Sequence, residues 1–158
     1  MRGKESAKGE KLVASNRKAF HEYHVLERFE AGLALTGSEV KSLRDGKANL
    51  SDSYVTFQRG EAFLLNAHIS PYTHANRENH DPLRPRKLLM HRREIDKLAA
   101  LTRDKGLTVV PLRLYFRGRH AKAEIALVRG KKLHDKRETE RRKEADREAA
   151  AAMKHGRR

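Results

Sequence analysis

A β-hairpin is encoded by residues 112–127, which read LRLYFRGRHAKAEIAL. Every second residue from Leu112 to Phe116 is apolar, and the same alternation returns from Ala121 to Leu127 after an Arg-Gly-Arg turn. Period-two alternation is typical of strands that bury one face, because successive side chains of a strand point to opposite sides. We therefore predict an antiparallel hairpin here, with its apolar face in the core of the fold.

Two further stretches alternate in the same way. Residues 53–69 predict a second hairpin, with its turn at residues 59–61. Residues 23–35 predict one long strand, in which Gly32 marks a sharp bend or a bulge. Two hairpins and a long bent strand suit a small sheet that closes on itself, because closure removes exposed strand edges.

Two short amphipathic helices accompany the predicted strands. Ser38 is the expected N-cap of the first helix, and Gly46 ends it. Apolar residues from Ile95 to Leu101 predict the second helix, which ends before Gly106. The polar stretch that follows the second hairpin, with Pro71, Pro82 and Pro85, is expected to be a long loop. The predicted fold class is mainly β with flanking α-helices, and the closest common architecture is the oligonucleotide-binding (OB) type of closed antiparallel barrel.

The two ends of the chain lack the residues from which a core is built. All nine aromatic residues lie between Phe20 and Phe116, and the only large aliphatic residues after Gly130 are Leu133 and Met153. The last segment is rich in Glu, Arg, Lys and Ala, so it is expected to be disordered alone or helical against a polyanionic surface. The predicted organisation is a flexible N-terminal arm at residues 1–15, an OB-type barrel domain at residues 16–130 and a basic C-terminal tail at residues 131–158.

The charge of the chain indicates its class of partner. Its 158 residues include 36 Lys and Arg against 21 Asp and Glu, a net charge of +15. Such an excess attracts nucleic acid first, then an anionic membrane surface or an acidic protein. No uncharged apolar run approaches the roughly 20 residues that span a bilayer, the N-terminus lacks the apolar segment of a signal peptide, and there is no cysteine. These features favour a cytoplasmic protein.

The positions of the basic residues favour a folded RNA as the polyanion. They gather around the first predicted helix, the start of the second helix and the last hairpin, where Lys and Arg side chains can neutralise phosphates. The few aromatic residues are mostly needed by the core. We therefore expect recognition of RNA shape, rather than stacking of unpaired bases on an aromatic platform.

The sequence contains no recognisable catalytic or metal-binding pattern. His21 and His24 are three residues apart, so in an extended chain they would point to opposite faces, which makes them a poor metal-binding pair. A glycine-rich phosphate loop and a dinucleotide-binding fingerprint are both absent from the sequence. We therefore predict a binding protein without catalytic residues, metal or other cofactors. A metal-dependent nuclease is the enzymatic alternative, and RNA cleavage by the pure protein would reveal it.

Six strings of the sequence resemble the SsrA-binding protein family, also called small protein B. They occur in order within residues 12–137, and three of them are eight residues long, which is far more specific than a single short motif. The matching strings are NRKAFHEY at 16–23, FEAGLAL at 29–35, GSEVKSLR at 37–44, GKAN at 46–49, RKLL at 86–89 and GKKLHDKR at 130–137.

The resemblance implies a bacterial cytoplasmic protein that binds transfer-messenger RNA and brings it to stalled ribosomes. This process, trans-translation, releases the ribosome and tags the unfinished peptide for degradation. The family fold is an OB-type barrel with flanking helices, and the family members are binding factors rather than enzymes. The barrel and the tRNA-like domain of the RNA together mimic a whole tRNA. We accordingly expect a monomer that has no membrane partner.

The resemblance also implies a role for the tail on the ribosome. In the family, the tail takes the place of codon–anticodon pairing in the decoding centre, which is built from 16S ribosomal RNA. It then extends as a helix along the empty messenger channel. Gly130 starts the flexible exit, and His134 matches the residue expected to stack on ribosomal RNA bases. The remaining tail candidates are Lys131, Lys132, Asp135, Lys136, Arg137 and Met153.

A set of RNA-binding candidates follows from the same strings. Glu30 and Leu89 match family positions that are needed for RNA binding, and His91 stands at a third position that is often Asn in relatives. The Glu30 carboxylate is expected to orient nearby donors, because it repels phosphate. The other candidates for RNA contact are Asn16, Lys18, Lys41, Lys47, Asn49 and Lys87.

The second hypothesis is a generic barrel-type RNA chaperone or ribosome-associated binding module. It explains the charge and the barrel, but it leaves the tail string at residues 130–137 unexplained. Equal affinity for transfer-messenger RNA, bulk tRNA and unstructured RNA would favour this alternative.

Overall fold

The structure, a computed structural model, describes residues 9–72, 79–104 and 106–156. Within these residues, the chain forms nine strands and four helices. The strands are β1 Glu10–Ser15, β2 Tyr23–Leu33, β3 Ala48–Asn49, β4 Tyr54–Gln58, β5 Glu61–Leu65, β6 His68–Ile69, β7 Arg86–Leu89, β8 Leu107–Arg117 and β9 His120–Gly130. The helices are α1 Arg17–Glu22, α2 Gly37–Arg44, α3 Arg92–Leu101 and α4 Leu133–Gly156.

The strands pair antiparallel, and the pairings of the main sheet close into a ring. The sheet order is β1-β8-β4-β5-β7-β2-β9, and β9 pairs again with β8. In the described ranges, six strands therefore each have a neighbour on both sides, while β1 pairs with β8 alone. In the described part of the chain, β3 and β6 form a separate two-stranded sheet. The prediction of a mainly β fold with flanking helices is confirmed.

The interior of the ring is filled by the alternating residues of the predicted hairpins. β4 and β5 form one hairpin, and β8 and β9 form the other, with Phe116 opposite Ala121. Leu98 of α3 and Leu43 of α2 belong to the same buried core, so both helices pack against the sheet. The buried members of this core include Val55, Leu64, Leu88, Val109, Leu114, Phe116, Ala123 and Ile125.

A second buried cluster lies on the other face of β8 and β9. Ala19 of α1 packs there against apolar residues from both strands. β8 and β9 are consequently buried on both faces, which is why their sequences contain nearly continuous apolar runs. The strand residues of this cluster are Val110, Leu112, Ala126 and Val128.

Asn16 holds α1 in place over this cluster. Its side-chain Oδ1 accepts from the Ala19 N–H at 3.2 Å, while its Nδ2 donates to the Pro111 carbonyl at 2.9 Å. Its backbone N–H donates to the Leu112 carbonyl at 2.8 Å. These two carbonyls lie at a register irregularity in β8, where proline lacks a backbone donor for the ladder. The Asn16 side chain therefore caps the N-terminus of α1 and also connects that helix to β8.

Several local expectations differ from the structure. The predicted arm at residues 1–15 contains β1. The charged residues of this strand do not show the apolar pattern of a strand, because Glu10 is buried by ion pairs with Arg113 and Arg117. Residues 1–8 of that arm lie outside the described residues. His21 belongs to α1 rather than to a strand, since six residues are too few to show a helical period.

The first amphipathic helix and the predicted long loop also differ in detail. Thr36, not Ser38, is the N-cap of α2, and its N–H donates to the Glu39 carboxylate at 2.9 Å. The predicted long loop contains β7, whose buried Arg86 breaks the apolar alternation by which strands are recognised. Gly32 does not sit at the register irregularity of β2, which lies between Val25 and Glu27. None of the helices in the described ranges combines the length and apolar character needed to cross a membrane.

Candidate nucleic-acid interface

Four of the predicted RNA-binding residues line one groove. Glu30, Lys87, Leu89 and His91 surround an open depression of about 550 Å³ between β2, β7, the β4–β5 turn and the start of α3. These residues come from chain segments about sixty residues apart, so only the folded chain brings them together. The other lining residues that matter below are Gly32, Gly60, Glu61, Arg92 and Lys122.

The alternation of β7 decides which of its side chains reach the groove. Lys87 and Leu89 are exposed, whereas Arg86 and Leu88 are fully buried. Leu89 exposes 54% of its surface, although it is a large apolar residue in a strand. Its neighbour across the strand pair is Gly32, and a Cβ built on that glycine would lie 3.3 Å from the Leu89 Cβ. The missing side chain at Gly32 therefore leaves room for Leu89 to pack closely at the floor of the groove.

A buried ion cluster anchors β7 to α2. The Arg86 Nε donates to Glu39 Oε2 at 2.7 Å, and the Arg84 Nη2 donates to Glu39 Oε1 at 2.6 Å. Arg86 also donates to the backbone carbonyls of Ala67 and Pro82. Burial alone would raise the pKa of Glu39, but the donors from Arg84, Thr36 and Arg86 outweigh it and lower that pKa to about 2. Glu39 is thus ionised and fully hydrogen-bonded, as a buried charge requires.

Glu30 is held in a second charged network on the outside of the ring. Its carboxylate accepts from the Tyr115 hydroxyl and lies 2.8 Å from Arg117 Nη2. Arg117 also contacts Glu10 at 2.9 Å, and Arg113 contacts the same Glu10 at 3.2 Å. Burial and the bond to Glu30 together raise the pKa of Tyr115, while the bond from Arg117 lowers the pKa of Glu10. The network thus joins Arg117 of β8 to Glu30 of the groove-lining strand β2.

Most of the positive charges in the groove already have acidic neighbours. Lys87 Nζ lies 3.1 Å from the Glu61 carboxylate, and Arg92 Nε lies 3.1 Å from that of Asp96. The Arg92 guanidinium also covers Gly60, whose positive φ of 76° suits the turn. Lys122 is half-buried, and within the described ranges it has no acidic neighbour at ion-pair distance. Lys122 is therefore the groove cation whose positive charge is least offset by a neighbouring carboxylate, so it can interact most strongly with an anion.

The remaining RNA-binding candidates lie outside this groove. Asn16 is buried and its side chain is used by the fold, so we assign it to holding α1 rather than to contact with RNA. Lys18 is exposed and lies 3.1 Å from Asp52. The Lys41 ammonium lies 5.6 Å from the centre of the Tyr72 ring. Lys47 and Asn49 are exposed after α2, where Asn49 Oδ1 accepts from the Ser51 N–H at 2.8 Å.

The tail leaves the body from the end of β9. Gly130 pairs with Tyr23 as the last residue of that strand, and α4 runs from Leu133 to Gly156. The tail is thus helical, whereas the composition predicts disorder for the tail alone and a helix only against a polyanionic surface. Lys131 is used within the fold, whereas Lys132 and Arg137 are exposed, Lys136 is half-buried and Met153 exposes 65% of its surface. His134 and Asp135 belong to α4, but their side chains lie outside the described residues.

Sequence patterns do not identify every residue that contributes to this site. Lys122 lies between Ala121 and Ala123 in an alternating strand, so the sequence predicts that its side chain points outward. The sequence does not predict that Lys122 lies beside Gly32 and Leu89, because that depends on strand pairing. The link from Glu30 to Arg117 spans 87 residues, and no local pattern signals it. The described residues contain no group of three or more His, Cys, Asp and Glu that could hold a metal ion.

Comparison with known proteins gives consistent relatives over nearly the whole chain. The family model described as "SmpB protein" matches residues 13–155. An SsrA-binding protein from Geobacter sulfurreducens is 59% identical over 146 residues, which cover 92% of this chain and 95% of that protein. An SsrA-binding protein from Latilactobacillus sakei subsp. sakei is 54% identical over 154 residues, covering 98% of this chain and 99% of that protein.

A solved structure agrees with these relatives. It is described as "tmRNA-SmpB: a journey to the center of the bacterial ribosome", and one of its chains is 48% identical to this one with a TM-score of 0.66. The match covers 77% of this chain and 85% of the solved one. Since the family model spans most of the sequence and the relatives match along nearly their full length, the chain belongs to the SmpB protein family.

Proposed function

We propose that this chain binds transfer-messenger RNA and delivers it to stalled ribosomes for trans-translation, as a cytoplasmic binding factor rather than an enzyme. The proposal is supported by the family, by relatives named SsrA-binding proteins and by the tmRNA-SmpB structure. The single observation that carries it in this chain is the groove on which Glu30, Lys87, Leu89 and His91 converge.

The chemistry of the groove suits a folded RNA strand. Lys122 and Lys87 supply positive charge for phosphates, and Leu89 supplies an exposed apolar surface for a sugar or a base. His91 is the N-cap of α3, and the ring nitrogen that the capping box does not use can bond to a base edge. The groove is open rather than enclosed by the fold, so an RNA strand can pass along it. Lys18, Lys41, Lys47 and Asn49 are proposed as additional contacts outside the groove.

Glu30 contributes to this function by positioning rather than by direct contact with phosphate. A carboxylate repels phosphate, but this one holds the Arg117 guanidinium between itself and Glu10. Because two acids hold the Arg117 side chain in one conformation, its remaining N–H donors can bind a partner. Binding then costs less side-chain entropy than it would with a mobile arginine. Loss of Glu30 would therefore release Arg117 and weaken the binding of RNA.

We further propose that the ring of strands is an OB-type closed barrel and that the tail acts on the ribosome. The closed pairing of β8 with both β4 and β9 supports the barrel. The tail proposal assigns the 16S decoding centre to His134 and its neighbours Lys132, Asp135, Lys136 and Arg137, and the messenger channel to the rest of α4 including Met153. The strongly charged, exposed surface of α4 suits such an RNA-lined path. The chain acts as a monomer, with Gly130 as the start of the moving segment.

Recovery of RNA from a bacterial lysate tests the proposed function. The tagged full chain should capture one dominant species, the transfer-messenger RNA, when the bound RNA is sequenced. A chain truncated after Gly130 should capture the same RNA but should not support peptide tagging at stalled ribosomes. Recovery of mixed tRNA and messenger fragments by the full chain would instead favour the generic RNA-binding module, and normal tagging by the truncated chain would contradict the role of the tail.

A further inference from the structure

Glu10 of β1 is buried between two arginines of β8. Its Oε1 accepts from Arg117 Nη2 at 2.9 Å, and its Oε2 accepts from Arg113 Nη1 at 3.2 Å. Only 3% of the Glu10 side chain is exposed. A carboxylate at such a position is stable only when cations or hydrogen-bond donors pair with it. Each of its two oxygens therefore has a guanidinium partner of its own.

The two guanidinium groups converge over one aromatic ring. Arg113 and Arg117 lie four residues apart in β8, so their side chains leave the same face of the strand. Their Cζ atoms lie 4.3 Å and 5.8 Å from the centre of the Tyr115 ring, which attracts both cations. Two cations at one ring also repel each other, and a carboxylate that contacts both offsets this repulsion. Glu10 therefore keeps both arginines over Tyr115.

Arg117 connects this cluster to Glu30 at the groove. Its Nη1 donates to Glu30 Oε1 at 3.0 Å, and its Nη2 lies 2.8 Å from Glu30 Oε2. The planar guanidinium thus contacts two carboxylates from different strands, Glu10 of β1 and Glu30 of β2, which together fix its orientation. Nearly half of the Arg117 side chain stays exposed, so the oriented group remains accessible to a partner.

We propose that Glu10 is a positioning residue for RNA binding, which acts through Arg117 without contacting the RNA. This inference rests on the proposed function, because the RNA is the partner that the oriented Arg117 meets beside Glu30. It adds β1 to the binding machinery, although none of the six matching strings includes that strand.

The direction of the effect separates positioning from simple charge repulsion. Glu10 carries a negative charge near a surface that binds a polyanion, so its removal should strengthen binding if net charge alone mattered. Positioning predicts the opposite, because an Arg117 side chain that is free to move must be ordered when RNA binds. Ordering one long side chain corresponds to a loss of about fivefold in affinity.

Glu10→Gln removes the charge while it keeps the shape of the side chain. The strand should stay in place, because the backbone pairing of β1 with β8 continues from Lys11 to Ser15. Glu27→Gln is the matched control: Glu27 is an acid of β2 that contacts Lys97 at 2.7 Å, and its loss changes the net charge equally. Circular dichroism and thermal denaturation of both variants check that the fold is retained.

Nuclear magnetic resonance of the free full chain tests the effect of Glu10 on Arg117. The order parameter of the Arg117 Nε–H group should be high in the unaltered protein, fall in Glu10→Gln and stay high in Glu27→Gln. Equal order parameters in the unaltered protein and in Glu10→Gln would overturn the proposal. Should Glu10→Gln fail to fold, Glu10→Asp replaces it under the same criterion, because its shorter side chain keeps the charge but no longer bridges both arginines. This measurement needs no RNA, so it succeeds or fails independently of the proposed function.

Binding of labelled transfer-messenger RNA to the full chain tests the effect of Arg117 on affinity. Glu10→Gln should bind about fivefold more weakly, whereas Glu27→Gln should bind as the unaltered protein does or more tightly. Arg117→Met should also weaken binding, and adding Glu10→Gln to it should cause no further loss, because Glu10 acts through Arg117. Equal or tighter binding by Glu10→Gln, an equal loss in Glu27→Gln, or a further loss of the same size in the double variant would each overturn the proposal.

Discussion

Arg86 and Glu39 form an ion pair whose two side chains are both completely buried, with the Arg86 Nε 2.7 Å from the Glu39 carboxylate. The pair joins the start of β7 to α2. β7 carries Lys87 and Leu89 into the groove, so the placement of the candidate site depends on a contact that never touches a ligand. The unusual cost of burying two charges is offset by Arg84 and by the carbonyls of Ala67 and Pro82.

Removal of one member of this pair should strongly destabilise the fold. Arg86→Met leaves the Glu39 carboxylate buried with fewer donors, and such changes cost about 3–5 kcal/mol. Urea denaturation should show this loss in the free energy of unfolding. The double variant Arg86→Met with Glu39→Leu removes both charges and should recover part of the stability. If Arg86→Met alone unfolds at the same urea concentration as the unaltered protein, the pair does not anchor β7.

The same pair should make the protein sensitive to acid. The pKa of Glu39 is about 2 in the folded chain, against 4.5 for an ordinary glutamate, because its arginine and backbone donors stabilise the charged form. A lowered folded-state pKa gives stability that is complete above pH 4.5 and is lost as the pH falls towards 2. Thermal denaturation between these pH values should show a steep decline. Glu39→Gln should flatten this decline, and an equally steep curve in that variant would assign the effect to other carboxylates.

Much of the fold was readable from local patterns, and the reason is visible in particular residues. Leu114 and Phe116 before the turn, and Ala121 to Leu127 after it, alternate so regularly that the last hairpin follows from periodicity alone. Leu112 departs from this pattern, because the register irregularity between Pro111 and Arg113 turns it to the second cluster. β7 was hidden because its inward residue Arg86 is charged, and its burial depends on Glu39, 47 residues away. Local sequence cannot encode such a partner, because the contact exists only once the chain has folded.

The candidate site divides in the same way. The family strings contain Glu30, Lys87, Leu89 and His91, and the fold brings all four to one groove. Asn16 lies in a family string of equal length and specificity. Its side chain, however, is hydrogen-bonded to the backbone of Pro111 in β8 and of Ala19 in α1. A string alone therefore does not distinguish a residue that faces a partner from one that holds the scaffold.

Truncation of Leu89 should reduce RNA binding while leaving the stability nearly unchanged. The side chain is more than half exposed, so Leu89→Ala should alter the free energy of unfolding by only about 0.5 kcal/mol. Its affinity for transfer-messenger RNA should fall about tenfold, which corresponds to about 1.4 kcal/mol of lost contact. Leu12→Ala in β1 is the matched control, because Leu12 is 49% exposed and lies outside the groove. Equal affinities for the two variants would argue against an apolar contact at Leu89.

Lys122 should contribute to the salt dependence of RNA binding. Each lysine that neutralises a phosphate releases a counterion, so Lys122→Gln should reduce the slope of log affinity against log salt by about 1. Lys97→Gln is the control, since Lys97 lies outside the groove and contacts Glu27 at 2.7 Å. Filter binding or fluorescence anisotropy at several salt concentrations gives both slopes. A slope for Lys122→Gln that equals that of the unaltered protein would remove Lys122 from the phosphate contacts.

Competition binding tests the central claim most directly. Labelled transfer-messenger RNA is bound to the full chain at one salt concentration and displaced with unlabelled transfer-messenger RNA, bulk tRNA or an unstructured RNA of equal length. Recognition of one folded RNA predicts that the first competitor is effective at concentrations at least about a hundredfold lower than the other two, a difference of about 2.7 kcal/mol. Equal displacement by all three RNAs would contradict it, because charge alone would then account for the binding.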